Sequence, residues 1–261
     1  MIRLDAFSWR FLKVWKRNLI TYQKIWKVSF LTPLFEPMLY IFAFGVGLGV
    51  MVGQIRYGGE TLTYIRFIVP ALIAIAVMQN AFFETTYTSF VRMYYQRTFD
   101  GMLATPLSLE EIILAEIVWA ATKAAAAGVI MLGVLGVFGY VDFPSGLMMI
   151  PVAFLGGLAF AAIGMVFTGI IPTIDLFNLP IFLFITPMFL FSGTFFPLGN
   201  LPQWGRNLAR ILPLHHLVEL SRRFCIGVYE TDVWLSLLYL VGFSIVFIVL
   251  GLISMRRRLI Q

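Results

Sequence analysis

The sequence predicts an all-α membrane protein that crosses the bilayer as six helices. Three observations predict this class. Charged residues make up 12% of the 261 residues, about half their usual share in a soluble domain. Hydrophobic residues make up 60%, and the mean hydropathy is +0.91. Apolar runs of about 20 residues recur along the chain, and in lipid such runs must be helical because the backbone finds no other hydrogen-bond partners there.

The first segment, residues 4–22, is predicted to be an amphipathic helix rather than a span. Its apolar residues recur at spacings of three and four, and they are Leu4, Phe7, Phe11, Trp15, Leu19 and Tyr22. The opposite side carries the basic residues Arg10, Lys13, Lys16, Arg17 and Lys24. We expect this helix to lie in the headgroup plane, with Phe7, Phe11 and Trp15 in contact with lipid. Packing against a protein partner is the alternative.

Six apolar runs are long enough to be spans, and they cover roughly 30–53, 64–90, 110–138, 146–171, 177–194 and 233–255. An even number of spans puts both termini on one side. That side carries twelve Lys and Arg residues, with seven before the first span, two in the 91–109 loop and three in the C-terminal tail. The other side carries six. The positive-inside rule therefore predicts cytoplasmic termini.

The stretch QRTFDGMLATPLSLEEI, residues 96–112, is a polar interruption between the second and third predicted spans. Residues 91–104 are predicted to form a short helix parallel to the membrane, with apolar contacts available at Tyr94, Tyr95, Phe99 and Leu103. The Thr-Pro pair at 105–106 ends this helix, because the residue before a proline avoids the helical region. Ser108 then caps the third span, and Glu111 completes a capping box. The alternative is a solvated turn without a partner.

The loop 195–232 contains too many prolines and glycines to be a span, yet it is too apolar to be fully exposed to water. Trp204 belongs to an apolar face, while Arg206 lies on the other side, so two short helices dipping into the outer leaflet are predicted. His215 and His216 could suggest a metal site, or a protease pair with Ser192. Since Glu219 is the one potential ligand at suitable spacing, we predict structural or hinge roles for both histidines, no metal and no catalytic residue.

Away from the ends of the predicted spans, charged residues occur at Glu36, Glu84, Glu116 and Lys123, where each is costly. Lys123 lies deepest, and we expect its partner to be an acid on a neighbouring helix or water in a transport cavity. For Glu36 and Glu116 a structural pairing is favoured. For Glu84 and Lys123 a structural pair and a place on the translocation path remain equally open.

The order of these features, with the motifs RTFDGMLATPLS, FSGTFFPLGNLPQW and LPLHHLVELSR, resembles the membrane subunit of a type-2 ABC exporter. Within that family the chain is most similar to permeases that export lipo-chitooligosaccharide nodulation factors. The resemblance covers nearly all of the chain and implies one permease domain over residues 1–261, in the bacterial inner membrane. It also implies export of an amphipathic substrate, namely a lipid-linked or acylated oligosaccharide. Membrane lipid is implied as a further partner, and nucleic acid is not.

The resemblance further implies that the chain is not itself an enzyme. Such permeases form homodimers and bind two ATP-binding subunits, which hold the ATP and magnesium, and this chain has no G-x-x-x-x-G-K-[ST] loop. The residues implied to couple to the ATPase are Arg97, Phe99, Asp100, Thr105 and Pro106, with Asp175 as a cap and second contact. An exporter of drugs or other lipophilic compounds is one alternative. The other is an ion-coupled transporter without an ATPase, which would use Glu84 and Lys123 as a relay.

Overall fold

The computed structural model describes residues 9–228 and 232–259, and most of these are helical. In this part of the chain the α-helices are α1 Phe11–Tyr40, α2 Gly49–Val52, α3 Tyr64–Phe83, α4 Thr98–Leu103, α5 Leu109–Val137, α6 Met149–Ile170, α7 Asn178–Pro180, α8 Thr186–Phe191, α9 Gln203–Ile211, α10 Pro213–Ile226 and α11 Val233–Leu259. Stretches of π-helix occupy Ile41–Leu48, Glu84–Thr88, Val91–Tyr95 and Ile181–Ile185. Short 3-10 turns occupy Ser145–Met148, Ile174–Phe177 and Leu198–Asn200.

Five helical segments of the described residues are long and apolar enough to cross a membrane, and they are Tyr64–Tyr95, Leu109–Val137, Ser145–Ile170, Ile174–Phe191 and Val233–Leu259. They correspond to the second to sixth predicted spans, so the chain is a multi-pass helical membrane protein. The first predicted span, 30–53, is helical but is not among these five. The second span continues to Tyr95 rather than ending at residue 90, because π-helical stretches prolong α3.

The predicted break between an interfacial helix and a first span is wrong. The helix α1 runs without interruption from Phe11 to Tyr40, since residues 23–30 contain no glycine or proline to end it. Phe11 and Trp15 are half-buried, and the Trp15 indole N–H donates to the Thr122 hydroxyl of α5 at 3.1 Å. The aromatic face thus packs on the protein's own bundle. Phe7 lies outside the described residues.

The polar turn between the first two predicted spans forms a β-hairpin. Strands β1 (Gln54–Tyr57) and β2 (Glu60–Thr63) pair antiparallel, with Tyr57 opposite Glu60. The two-residue turn consists of Gly58 and Gly59, which have φ values of 57° and 83°. Both residues of such a hairpin turn need positive φ, which glycine adopts without strain. The hairpin therefore stays short and tight at the end of the bundle where α3 begins.

The centre of the bundle is α3, which packs against α5, α6 and α10. The helices α5 and α6 approach closely at Gly157, where a Cβ atom would lie 2.9 Å from the Cα atom of Ala121. Small residues permit this approach, and backbone proximity is a main source of attraction between helices in lipid. The start of α5 is fixed by the predicted capping box: the Ser108 hydroxyl accepts from the Glu111 amide at 3.2 Å, and the Glu111 carboxylate accepts from the Ser108 amide at 2.9 Å.

The 195–232 loop contains the two predicted short helices, α9 and α10. Gly205 and Ala209, four residues apart, form the buried side of α9, while Trp204 and Arg206 are exposed. The next helix, α10, is mostly buried and packs between α3 and α11. It is therefore part of the core rather than a loosely attached cap.

Candidate functional site

Separate parts of the chain meet at one end of the bundle. Near the start of α1, an Arg10 guanidinium nitrogen donates to the carbonyl oxygen of Pro106 at 2.9 Å. Phe177, in the turn after α6, has its ring centroid 5.4 Å from that of Phe90 at the end of the second span. Arg258, near the end of α11, lies 5.1 Å from the Phe90 ring centroid. The segments that were predicted to share one side of the membrane therefore lie together.

At this end the α4 surface consists of the exposed side chains around α4, which are Tyr94, Tyr95, Arg97, Asp100, Leu103, Thr105 and Pro106. Phe99 was predicted to be exposed here, and that prediction is wrong because the ring is 0% exposed. Phe99 and Met102 are three residues apart on α4 and together form its buried side. Phe99 thus anchors the helix, and its neighbours face outward.

Asp175 is exposed in the 3-10 turn Ile174–Phe177. The prediction that Asp175 caps this turn is wrong, because Thr173 occupies the N-cap position and Asp175 lies inside the turn. Since Phe177 of the same turn packs on Phe90, Asp175 lies at the same end of the bundle as the α4 surface. The exposed carboxylate remains available for a partner there.

A buried ionic cluster lies further inside the bundle and involves three of the predicted intramembrane charges. The Lys123 ammonium donates to Glu84 at 2.7 Å, which confirms the expectation of an acidic partner on another helix. Glu84 also accepts from the Trp119 indole N–H at 3.0 Å and from the Arg92 guanidinium. Its side chain is 3% exposed. Glu84 therefore joins the second span to α5.

Glu116 is the second buried acid of this cluster and is 0% exposed. It accepts from the Asn18 amide of α1 at 2.8 Å, from the Ser89 hydroxyl at 2.7 Å and from the other end of the Arg92 guanidinium. Arg92 thus bridges two carboxylates on two helices, as its planar, forked donors permit. From the sequence, Arg92 is only one of the two basic residues of the 91–109 loop. It lies eight residues, about two turns, after Glu84, and that spacing would have placed both on one face had the helix been extended beyond residue 90.

A cavity of about 280 Å³ opens beside this cluster. It lies between α1, the end of the second span and α5, and both predicted path residues, Glu84 and Lys123, belong to its lining. Its walls also include Arg17, Tyr22 and Trp119, with ring centroids of the two aromatic residues 5.7 Å apart. Glu36 lies apart from this cavity and accepts from its own helix neighbour, the Tyr40 hydroxyl, at 3.0 Å.

The other end of the bundle has a second buried polar cluster, which sequence analysis missed. The Arg222 side chain of α10 is 1% exposed and donates to the carbonyl oxygens of Gly193 at 2.7 Å and Phe67 at 3.4 Å. Arg222 also pairs with Glu219 at 3.5 Å, and the Tyr57 hydroxyl of the hairpin donates to the same carboxylate. Burial raises the pKa of the Tyr57 phenol above its ordinary value of 10.0, so the phenol remains a donor. This cluster fastens α10 to the hairpin and to α3.

The two histidines lie in α10, and both are buried. His216 is held between the Ser236 hydroxyl at 3.1 Å and the carbonyl oxygen of Arg210 at 2.9 Å, and it stacks on Tyr239 at 4.1 Å. Burial lowers the pKa of His215 to about 4, so its ring is neutral at physiological pH. Within residues 9–228 and 232–259, no three His, Cys, Asp or Glu side chains are grouped to hold a metal ion.

Comparison with known proteins agrees with this arrangement. The family model described as "ABC-2 type transporter" matches residues 10–226. Nodulation protein J of Rhizobium leguminosarum bv. trifolii is 41% identical over 258 residues, which are 99% of this chain and 97% of that protein. Nodulation protein J of Rhizobium meliloti (strain 1021) is 37% identical over 98% of this chain and 96% of its own length. The inner membrane transport permease YadH of Escherichia coli (strain K12) is 23% identical over 92% of each chain.

Proposed function

Because this chain belongs to the ABC-2 type transporter family, we propose that it is the membrane permease of an ATP-driven exporter. Two copies form the transport pathway and bind two ATP-binding subunits, which hold the ATP and magnesium. The observation that carries this proposal is the α4 surface: exposed rings and charges on a short helix, at the end of the bundle where both described ends of the chain lie.

The proposed membrane topology has six spans with both termini in the cytoplasm of a bacterial inner membrane. The additional span is the second half of the long helix, from about residue 30 to Val52 at the end of α2. Its 22 or so residues would extend about 33 Å, enough for the hydrocarbon core. The α4 surface and Asp175 then face the cytoplasm, and α9, with its exposed Trp204 and Arg206, lies in the outer leaflet.

The proposed substrate is an amphipathic molecule, namely an acylated or lipid-linked oligosaccharide. This proposal rests on the near full-length similarity to proteins named nodulation protein J. Ion-coupled transport is the second candidate, and the buried Glu84–Lys123 pair is the observation that favours it. We rank it lower, because Glu84 already accepts from three donors, and a proton relay needs a carboxylate that can change partners.

Charge reversal on the α4 surface tests the docking of the ATPase. We expect Asp100→Arg and Arg97→Glu each to weaken co-purification of the ATP-binding subunit, because a charge-assisted hydrogen bond contributes about 1.5–3 kcal/mol. Arg206→Glu is the matched control, since Arg206 is also exposed but lies on α9, away from the α4 surface. Undiminished co-purification with both α4 variants, while the control also binds, would show that the ATPase docks elsewhere.

A further inference from the structure

The cavity beside the buried ionic cluster has an unbalanced set of polar groups. Its lining carries three cationic side chains, Arg17, Arg92 and Lys123, against the single carboxylate of Glu84. Even when Glu116 behind the wall is counted, the cations outnumber the acids by three to two. A cavity that retains positive charge at this depth attracts a group of negative charge.

The acceptors of this cluster are already occupied. Glu84 accepts from Arg92, Trp119 and Lys123. Glu116 accepts from Arg92 and from two neutral donors at 2.7 and 2.8 Å. Three donors nearly fill the lone pairs of each carboxylate, so neither carboxylate can accept many further hydrogen bonds from a ligand. The two carboxylates therefore offer little to a ligand that donates hydrogen bonds.

Free donors remain at the cavity. Arg17 forms no ion pair with any described residue; one of its nitrogens contacts the Asn18 amide oxygen at 3.3 Å and the Met102 sulfur at 3.9 Å. A guanidinium has five N–H donors, so most of those of Arg17 are available. The Lys123 ammonium donates one hydrogen bond, to Glu84, and its side chain is 27% exposed. Free cationic donors beside carboxylates that are already occupied favour an oxyanion as ligand.

We propose that this cavity binds the oxyanion head of an amphipathic molecule, of the phosphate type, with Arg17 and Lys123 as its ligands. The volume of about 280 Å³ far exceeds the ~10–15 Å³ that a cavity needs to hold one water molecule, so it accommodates a group of several heavy atoms. Tyr22 and Trp119 provide an aromatic wall for the less polar part that follows the head. The ammonium of Lys123 lies 5.9 Å from the Tyr22 ring centroid, so charge and ring face the same space.

The binding site goes beyond the proposed export function and is independent of which substrate is moved. Its test is therefore a binding measurement without ATP or a partner subunit. The full chain is purified into nanodiscs of phosphatidylcholine that contain increasing fractions of phosphatidylglycerol. Native mass spectrometry then counts the anionic lipids retained per protein. A second arm adds inorganic phosphate as a competitor, which distinguishes a lipid headgroup from a free ion.

We expect one saturable phosphatidylglycerol site in the wild-type protein and at least about tenfold weaker binding in Arg17→Gln, the lower end of the effect of losing one charge-assisted hydrogen bond. Lys16→Gln is the matched control, because Lys16 precedes Arg17, is exposed and lies outside the cavity. Phosphatidylglycerol binding by this variant should be unchanged. Lys123→Gln should weaken binding as well, with its folding checked by circular dichroism.

Displacement of the lipid by inorganic phosphate would support an oxyanion site whose ligand is the free ion. Equal losses in Arg17→Gln and Lys16→Gln would overturn the proposal, because they would indicate general surface attraction. The absence of saturable binding, or equal retention of phosphatidylcholine, would overturn it too. None of these results depends on ATP-driven export, so a failure here leaves the proposed function intact.

Discussion

Replacement of Arg92 by methionine should destabilise the bundle more than any loss of a surface charge. Methionine has a similar length and no charge, so the packing volume is largely kept. The substitution removes the one guanidinium that bridges Glu84 and Glu116. Glu84 keeps Lys123 at 2.7 Å and Trp119 at 3.0 Å. Glu116 keeps only neutral donors among the described residues, so it is the carboxylate that is left without a counter-charge.

The magnitude follows from the burial of Glu116, which is 0% exposed. Removing one partner of a buried ion pair costs about 3–5 kcal/mol. Glu116 keeps the hydrogen bonds from Asn18 and Ser89, and these two donors limit the loss. We therefore expect a decrease of about 3 kcal/mol in the free energy of unfolding. Adding Glu116→Gln removes the stranded charge and should restore about 2 kcal/mol of it.

Reversible unfolding in mixed micelles of SDS and a mild detergent, followed by circular dichroism, measures these differences. Arg97→Met is the matched control, since Arg97 lies five residues further on and is exposed. A surface substitution of this kind changes stability by about 0.5 kcal/mol or less. If Arg92→Met lost no more stability than Arg97→Met, or if Glu116→Gln gave no recovery, the bridging role of Arg92 would be refuted.

Two further substitutions test other parts of the structure by the same unfolding assay. Phe99→Ala should cost about 3–5 kcal/mol of the free energy of unfolding, because the ring is fully buried. Leu103→Ala is the control and should cost far less, because Leu103 lies on the exposed side of α4. Equal losses would contradict the burial of Phe99. Tyr57→Phe should cost about 1–2 kcal/mol by removing a donor to the buried Glu219. Since the pKa of Tyr57 is raised above 10.0 in the folded protein, this contribution should be constant below pH 10 and decline as pH rises further, and a decline that begins near neutral pH would contradict the buried contact.

Local patterns in the sequence predicted the features that depend on near neighbours. The capping box of Ser108 and Glu111 is such a case, because both partners lie within one helical turn. The acidic partner of Lys123 was predicted in kind, since a buried charge in lipid needs an opposite charge. Which acid it would be depended on how the second span faces α5, and no local pattern specifies that.

The predictions that were wrong concern features that depend on tertiary packing. The sequence predicts an exposed Phe99 because a short helix over 91–104 in a polar loop gives no indication of which side is buried. In the structure the α-helix covers Thr98–Leu103 and buries Phe99. Arg92 was missed because the second span was ended at residue 90, while the structure continues it to Tyr95 through π-helical stretches. The long α1 was divided because its amphipathic and apolar halves differ in composition, although nothing in residues 23–30 interrupts a helix.

Transport by everted membrane vesicles tests the proposed export function most directly. The vesicles contain this chain with its ATP-binding subunit, and the substrate is a radiolabelled, acylated chito-oligosaccharide. We predict that ATP drives its accumulation, that a Walker-motif variant of the ATP-binding subunit abolishes it, and that an ionophore that collapses the proton gradient leaves it unchanged. Accumulation that survives the Walker-motif variant but disappears with the ionophore would contradict the account and establish ion-coupled transport instead.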